Sequence, residues 1–404
     1  MQQPAVHGKV VAGYFCNWTI YERNYNVVDL AGSAHNLTHI LYAFANCEAD
    51  GSVVLQDVFA DKDEHFPLEK TVNQKADGWN EQGNNLYGNF KQLFLLKQRY
   101  RHRKVSLSIG GWSRSDNFAE VASDPAKRAR FVGTAVKQLA DLGLDGIDID
   151  WEFPKNDQEA IDYVHLVSQM RIALDIYQQR VGQTDQPRLL LTAAVPCGPN
   201  DYQNLRLREM EPYIDLFYLM AYDFAGSWDS LVGHQSPLYG GELCVHQAVE
   251  HYMQSIPPPK LVLGIPAYGR AFSNTDGPGT PFNGVPKGSW EGGEGVFDYK
   301  VLPKPGAVEH HDLQRKAAWS YDSSLREMVS YDSPVVVQAK CDYIKQKQLG
   351  GAMFWELSGD APTDNPRSLL QTVHQALEDQ HDTTSNHLEY PESQFDNIRA
   401  GMPQ

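Results

Sequence analysis

An eight-stranded parallel β/α barrel carrying a small α+β insertion is the fold class that this sequence predicts, on three observations. Eight short apolar runs, rich in β-branched residues, alternate with longer amphipathic segments along most of the 404 residues. Strands separated by helices pair in parallel through crossovers, and eight such units close most economically as a barrel. The interval between the seventh and eighth runs is far longer than one crossover helix needs, which marks the insertion. An open doubly wound sheet is the alternative. It lacks the glycine-rich phosphate loop expected after the first strand.

The first four runs are KVVAGYF (9–15), THILYAFAN (38–46), KVSLSIGG (104–111) and LDGIDIDWE (144–152). RLLLTAAVP (188–196), DLFYLMAYD (215–223), KLVLGIPAYG (260–269) and GAMFWEL (351–357) complete the set. Between them, apolar residues recur at three- and four-residue spacing over 90–99, 125–142, 158–180, 245–254, 333–348 and 366–378, which predicts helices. Asp124-Pro125 supplies a start for the second of these, with Asp as N-cap and Pro in the first turn. Residues 271–331 are rich in Gly, Pro and aromatics (GPGTPFNGVPKGSWEGGEGVFDYKVLP) and end in a strand-like AAWSYD. They are expected to form the insertion, mostly of antiparallel strands, beside the face where barrel strands end. The barrel then occupies 1–270 and 332–380, and 381–404 reads as a polar tail, surface-hugging or mobile.

Composition narrows the function classes. Hydrophobic residues make up 42% and charged residues 21%, an ordinary globular balance. A net charge of −16 repels phosphate backbones, so nucleic acid is not an expected partner. The densest basic stretch, residues 99–104, reads as a solvated helix end before a strand. No run approaches 18 apolar residues, so no membrane partner is expected either. The aromatic count (8 Trp, 20 Tyr, 16 Phe) suits a core, and also suits a cleft in which sugar rings stack.

Five widely spaced cysteines without a CxxC indicate neither a zinc site nor a disulfide framework. Cys16 and Cys47 fall just past the ends of adjacent strands and could approach each other; two independent buried thiols are expected, because five cysteines and no visible secretion signal disfavour a bridge, which would need Cα atoms about 4.4–6.8 Å apart. The first fifteen residues, MQQPAVHGKVVAGYF, show no basic start, long apolar stretch or small-residue cleavage site. Absence of a secretion signal and a start after one both fit. The compartment stays open between secreted and cytoplasmic with release to the cell wall. Asn17-Trp18-Thr19 and Asn36-Leu37-Thr38 fit the glycosylation sequon, as do many chance triplets.

The densest chemical signal is DGIDIDWE, residues 145–152. Carboxylate clusters usually mark a solvated face. Here the interleaving argues otherwise, because residues two apart on a strand share a face. Asp148, Asp150 and Glu152 point one way, and Ile147, Ile149 and Trp151 the other. The apolar set suits the helix side, which leaves the carboxylates facing the barrel interior. Asp145 has the opposite parity and reads as structural. Three like charges so close cannot all ionise, so protons are shared and pKa values rise. A Glu at the C-terminal end of such a strand is a natural general acid. Metal binding competes, but no His stands at ligand spacing.

DGIDIDWE resembles the DxxDxDxE signature of the family 18 glycoside hydrolases, the chitinases and their relatives. The match implies Glu152 as proton donor, Asp150 as assisting carboxylate and Asp148 as its charge partner. SIGGW resembles the third-strand SxGG motif followed by a cleft tryptophan, which implies Ser108, Gly111 and Trp112 as substrate-facing. MAYDF is similar to the sixth-strand segment and implies Met220, Tyr222 and Asp223. GIPAYGRAF resembles the seventh strand and implies Arg270, while MFWE implies Trp355 at the floor of the central subsite. Tyr14 and Phe44 match aromatics around that subsite, and Trp228 is a further cleft candidate. Singly, Phe44 and Trp355 would be core residues, Met220 a core filler, Arg270 a surface arginine, and Trp112 and Trp228 plain loop aromatics. The motifs run in order over 9–357, and the insertion falls where the bacterial-type chitinase subgroup, with its fungal members, carries an α+β domain.

The resemblance implies a chitinase that cuts β-1,4 linkages of chitin and chitooligosaccharides by substrate assistance, as a monomer and without cofactor or metal. Two other activities belong to the same fold: an endo-β-N-acetylglucosaminidase acting on glycoprotein glycans, and a non-catalytic lectin. The retained Glu152 speaks against the lectin, and the aromatic cleft with its long insertion favours the linear polymer. Non-proline cis peptides at 43–44, 152–153 and 355–356 are implied as well.

Overall fold

The computed structural model describes residues 6–241 and 243–403; the first five positions of the N-terminal stretch lie outside them. Its strands are β1 (Val10–Cys16), β2 (His39–Cys47), β3 (Val53–Leu55), β4 (Lys104–Gly110), β5 (Gly146–Asp150), β6 (Leu190–Pro196), β7 (Leu216–Met220) and β8 (Leu261–Pro266). After them come β9 (Tyr268–Phe272), β10 (Val296–Asp298), β11 (Val308–Asp312), β12 (Ala317–Asp322), β13 (Glu327–Tyr331) and β14 (Gly351–Trp355). One sheet runs β1-β14-β8-β7-β6-β5-β4-β2-β3, with β1 also paired to β2. This is the predicted eight-stranded β/α barrel, to which β3 adds an antiparallel edge on β2. A second, antiparallel sheet runs β10-β9-β13-β12-β11 and is the insertion.

The chain divides into two compact units, the first comprising Met1–Val195, Gln203–Tyr218 and Gln380–Gln404. Its helix Pro125–Leu142 keeps the predicted bounds. Asp124 accepts hydrogen bonds from the Ala126 and Lys127 amides, and Gly143 closes the helix in the left-handed region, φ 72°. The parity argument for residues 145–152 holds on its apolar side. Trp151 stacks on Phe118 at 5.6 Å and meets Tyr163 at 5.2 Å, both rings carried by helices.

Two expectations change here. Lys104 is buried rather than solvated, because its ammonium donates to Asp382 at 2.5 Å. The C-terminal segment, expected to be surface-hugging or mobile, is packed down. Asn386 Nδ2 donates to the Lys97 and Arg103 carbonyl oxygens, the His387 amide to Asp145, and Tyr390 Oη to the Leu144 carbonyl. The buried Asp382, Asn386, His387 and Ser393 help staple it to neighbouring residues, so its polar side chains do not mark a free end. Asp145, expected to be structural, receives that amide and an ion pair from Lys97 at 2.9 Å.

The two sequon asparagines, Asn17 and Asn36, are both buried, which closes them to glycosylation. Among the described residues all five cysteines are buried and no disulfide is formed. Register explains this for the adjacent pair. Cys16 lies opposite Ala43, four residues short of Cys47, or about 13 Å along the strand.

The second unit comprises Pro196–Tyr202 and Leu219–Asp379. In it β8 and β14 pair in parallel, Gly264 opposite Met353 and Pro266 opposite Trp355. The single seventh strand expected over 260–269 is two strands. The chain leaves the parallel ladder at Ala267, whose amide donates to the Trp355 carbonyl while its own carbonyl accepts from Tyr299. Tyr268 onward then joins the antiparallel sheet. Ala225, Val232, Phe272 and Met328 pack together under Phe282, Trp319 and Tyr321, fixing the loop after β7 to that sheet.

Candidate active site

Register sets the acidic centre. Ser108 of β4 lies opposite Asp148 of β5, which lies opposite Thr192 of β6. Asp148 is fully buried, and three hydroxyls converge on it: Tyr14 Oη at 3.0 Å and Ser108 Oγ at 2.7 Å on Oδ2, Thr192 Oγ1 at 2.6 Å on Oδ1. Burial pushes its carboxyl above the usual range, and the three donors pull it back. Asp150, one pleat further on and also buried, has no such donors. Burial first, then the charges of Glu152 and Asp148, hold it well above the ordinary carboxylate range. Its Oδ1 has no hydrogen-bond partner among the described residues. An under-satisfied, buried carboxyl is thus stored beside a second carboxyl.

Glu152 lies two residues beyond the end of β5 and is half-buried. Its backbone N–H donates to Ser115 Oγ at 2.8 Å. Gly110 and Gly111 are both in the positive-φ region, at 116° and 91°. A Cβ at the first would stand 2.2 Å from the Asp150 carbonyl oxygen, and one at the second 2.8 Å from the Phe44 ring. Only glycine permits that approach.

Phe44 sits where the β2–β4 register shifts, between Ala43 and Ala45. Its ring centroid lies 6.4 Å from Tyr14 and 6.2 Å from Trp18. Trp112 opens the short turn after β4 and is 78% exposed. A polar pocket on this unit is lined by Asn46, Gln56, Ser113, Arg114, Asp116 and Asn117, with the Arg114 guanidinium 5.8 Å over Phe44.

The second unit groups the other candidates. Met220 ends β7 and Tyr222 follows it, both half-buried. The Tyr222 ring meets Tyr268 edge-on at 6.2 Å, and a Cβ at Gly264 would reach within 2.9 Å of it. Asp223, at φ 60°, accepts from Tyr268 Oη at 2.5 Å and Arg270 Nε at 2.6 Å. The same guanidinium lies 4.7 Å over the Trp228 ring, which is 59% exposed. Trp355 ends β14 half-buried. The three implied cis peptides, Ala43–Phe44, Glu152–Phe153 and Trp355–Glu356, are present.

Thr192, Tyr268 and Ser115 were not singled out from the sequence. Thr192 left a signal, since it is the one hydroxyl inside the apolar run RLLLTAAVP. Tyr268 lies inside GIPAYGRAF, and Ser115 left no signal beyond proximity to SIGGW. Among the described residues no group of three or more His, Cys, Asp or Glu is arranged to hold a metal ion, and no helix is long and apolar enough to cross a membrane.

Residues 10–360 match the family model for glycosyl hydrolases family 18. Over 399 residues the chain is 43% identical to Chitinase 1 of Aphanocladium album, covering 97% of this chain and 90% of that one. It superposes on the catalytic domain of psychrophilic chitinase B from Arthrobacter TAD20 with a TM-score of 0.84 at 28% identity, covering 92% and 96% of the two chains. A Cycas revoluta family 18 chitinase solved in complex with (GlcNAc)3 is 25% identical, with a TM-score of 0.75 and coverage of 91% and 99%.

Proposed function

The chain belongs to the glycosyl hydrolases family 18 and is a glycoside hydrolase, and we propose that it is a chitinase that cuts β-1,4 linkages between N-acetylglucosamine units with retention of configuration. The observation that carries the mechanism is the buried Oδ1 of Asp150, without a hydrogen-bond partner among the described residues and two positions from Glu152. An ordinary retaining enzyme sets its acid and its nucleophile on opposite faces of the sugar, with carboxyls about 5–5.5 Å apart. Asp150 at the end of β5 and Glu152 two residues on come from one segment and approach from the same side, so Asp150 is badly placed to attack the anomeric carbon.

The nucleophile is then the substrate's own acetamido carbonyl oxygen. Glu152 gives its proton to the glycosidic oxygen as that bond breaks, and the carbonyl oxygen bonds to the anomeric carbon to form an oxazolinium ion. Asp150 accepts the acetamido N–H and offsets the positive charge, while Asp148 and its hydroxyls hold Asp150 in place. Tyr222 orients the acetamido carbonyl, and Trp355 packs beneath the N-acetyl methyl. Glu152, now a carboxylate, takes a proton from the water that opens the ion. Phe44 and Trp112 of the first unit, and Met220, Asp223, Trp228 and Arg270 of the second, are each read as sugar-contacting residues. Relatives named chitinase and a neighbour bound to (GlcNAc)3 support the linear polymer over a glycoprotein glycan.

A product time course on chitohexaose with anomer analysis tests this. β-Anomers at the newly formed reducing ends are expected; α-anomers would sink the retaining mechanism. Activity on a high-mannose glycoprotein and none on colloidal chitin would replace the substrate.

A further inference from the structure

The backbone of the proposed acid is held by a side chain that has no role in the reading above. β5 ends at Asp150, so Glu152 lies beyond the ladder that fixes the strand. Its N–H goes instead to Ser115 Oγ, 2.8 Å away. That hydroxyl has two carbonyl oxygens in reach of its single proton, Gly111 at 3.0 Å and Asp150 at 3.4 Å. The Gly111 N–H returns to the Asp150 carbonyl oxygen at 2.8 Å. The circuit is closed: Glu152 amide, Ser115 hydroxyl, Gly111 peptide, Asp150 carbonyl. Ser115 is buried, so water does not readily replace it.

We propose that Ser115 is a positioning residue for Glu152, clamping the segment after β5 to the Gly111–Ser115 turn and thereby placing the acid's carboxyl. The inference rests on Glu152 being the acid. A general acid must come within about 2.6–3.2 Å of the oxygen it protonates, and a displacement of about 1 Å costs about a hundredfold in rate. Ser115→Ala removes the acceptor for the Glu152 amide and the donor to Gly111 together. Ser115→Thr keeps both on the same atom.

The test uses the whole chain with chitohexaose. Ser115→Ala is expected to lower kcat by about tenfold or more with KM within about twofold, and Ser115→Thr to restore most of the loss. In a Glu152→Gln background, adding Ser115→Ala should leave the chitohexaose Kd unchanged, because the clamp acts on the acid and not on sugar binding. A kcat within twofold of the parent would overturn the proposal. So would a weakened Kd in that background, or a fall in kcat and Tm together that Ser115→Thr does not restore. The two readings separate cleanly: an active Glu152→Gln removes the acid assignment, whereas an inactive Glu152→Gln beside a fully active Ser115→Ala removes only this inference.

Discussion

Tyr14 Oη donates to Asp148 Oδ2 at 3.0 Å across 134 residues of chain. It is one of three hydroxyls that together offset the burial of that carboxyl, and its loss is measurable. A hydrogen bond to a buried charged group is worth about 1.5–3 kcal/mol. Tyr14→Phe is therefore expected to push the Asp148 carboxyl further up and lower kcat by about tenfold, read from initial rates on chitohexaose. An unchanged kcat would show that Ser108 and Thr192 suffice.

Glu152→Gln should abolish hydrolysis while oligosaccharide binding persists, since the amide keeps size and hydrogen bonding but has no proton to give. Asp150→Asn should lose most activity through misplacement of the acetamido group. Near-normal turnover in either variant, measured by release of reducing ends, would reverse the roles assigned to the pair.

Without an N-acetyl group at the cleaved sugar there is no nucleophile. Fully deacetylated chitosan and cellooligosaccharides are expected to resist cleavage, and a thiazoline mimic of the oxazoline to inhibit competitively. Rapid release of glucose oligomers from a cellooligosaccharide would rule out substrate assistance.

Asp61 offers a stability test away from the chemistry. Its carboxyl accepts from Tyr42 Oη and Asn17 Nδ2, both on Oδ1, and burial raises its pKa to about 7. An unfolded Asp titrates near 3.9. Between those values the folded chain holds a proton that the unfolded chain releases, so stability falls as pH rises through the window and the contribution is intact below it. Asp61→Asn keeps the accepting oxygen and cannot ionise. Its melting temperature should exceed the parent's at pH 8, and the gap should close toward pH 4. A gap independent of pH would show that Asp61 is ionised throughout.

The sequence by itself determined which side chains share a face and where several elements start. The period-2 alternation within β5 set Asp148 and Asp150 against Ile147 and Ile149, because a strand's pleat admits no other division. Asp124-Pro125 started its helix, because a cap acts within one turn. What the tertiary structure alone decided are pairings across strands. Register brought Thr192 to Asp148 and separated Cys16 from Cys47, while packing of the C-terminal segment sent Asp382 to the Lys104 ammonium across 278 residues. Ser115 reached the Glu152 amide only because a turn folds back over the end of the next strand. Local periodicity says which way a side chain points; which partner it finds depends on distance in space, which the order of residues along one chain does not specify.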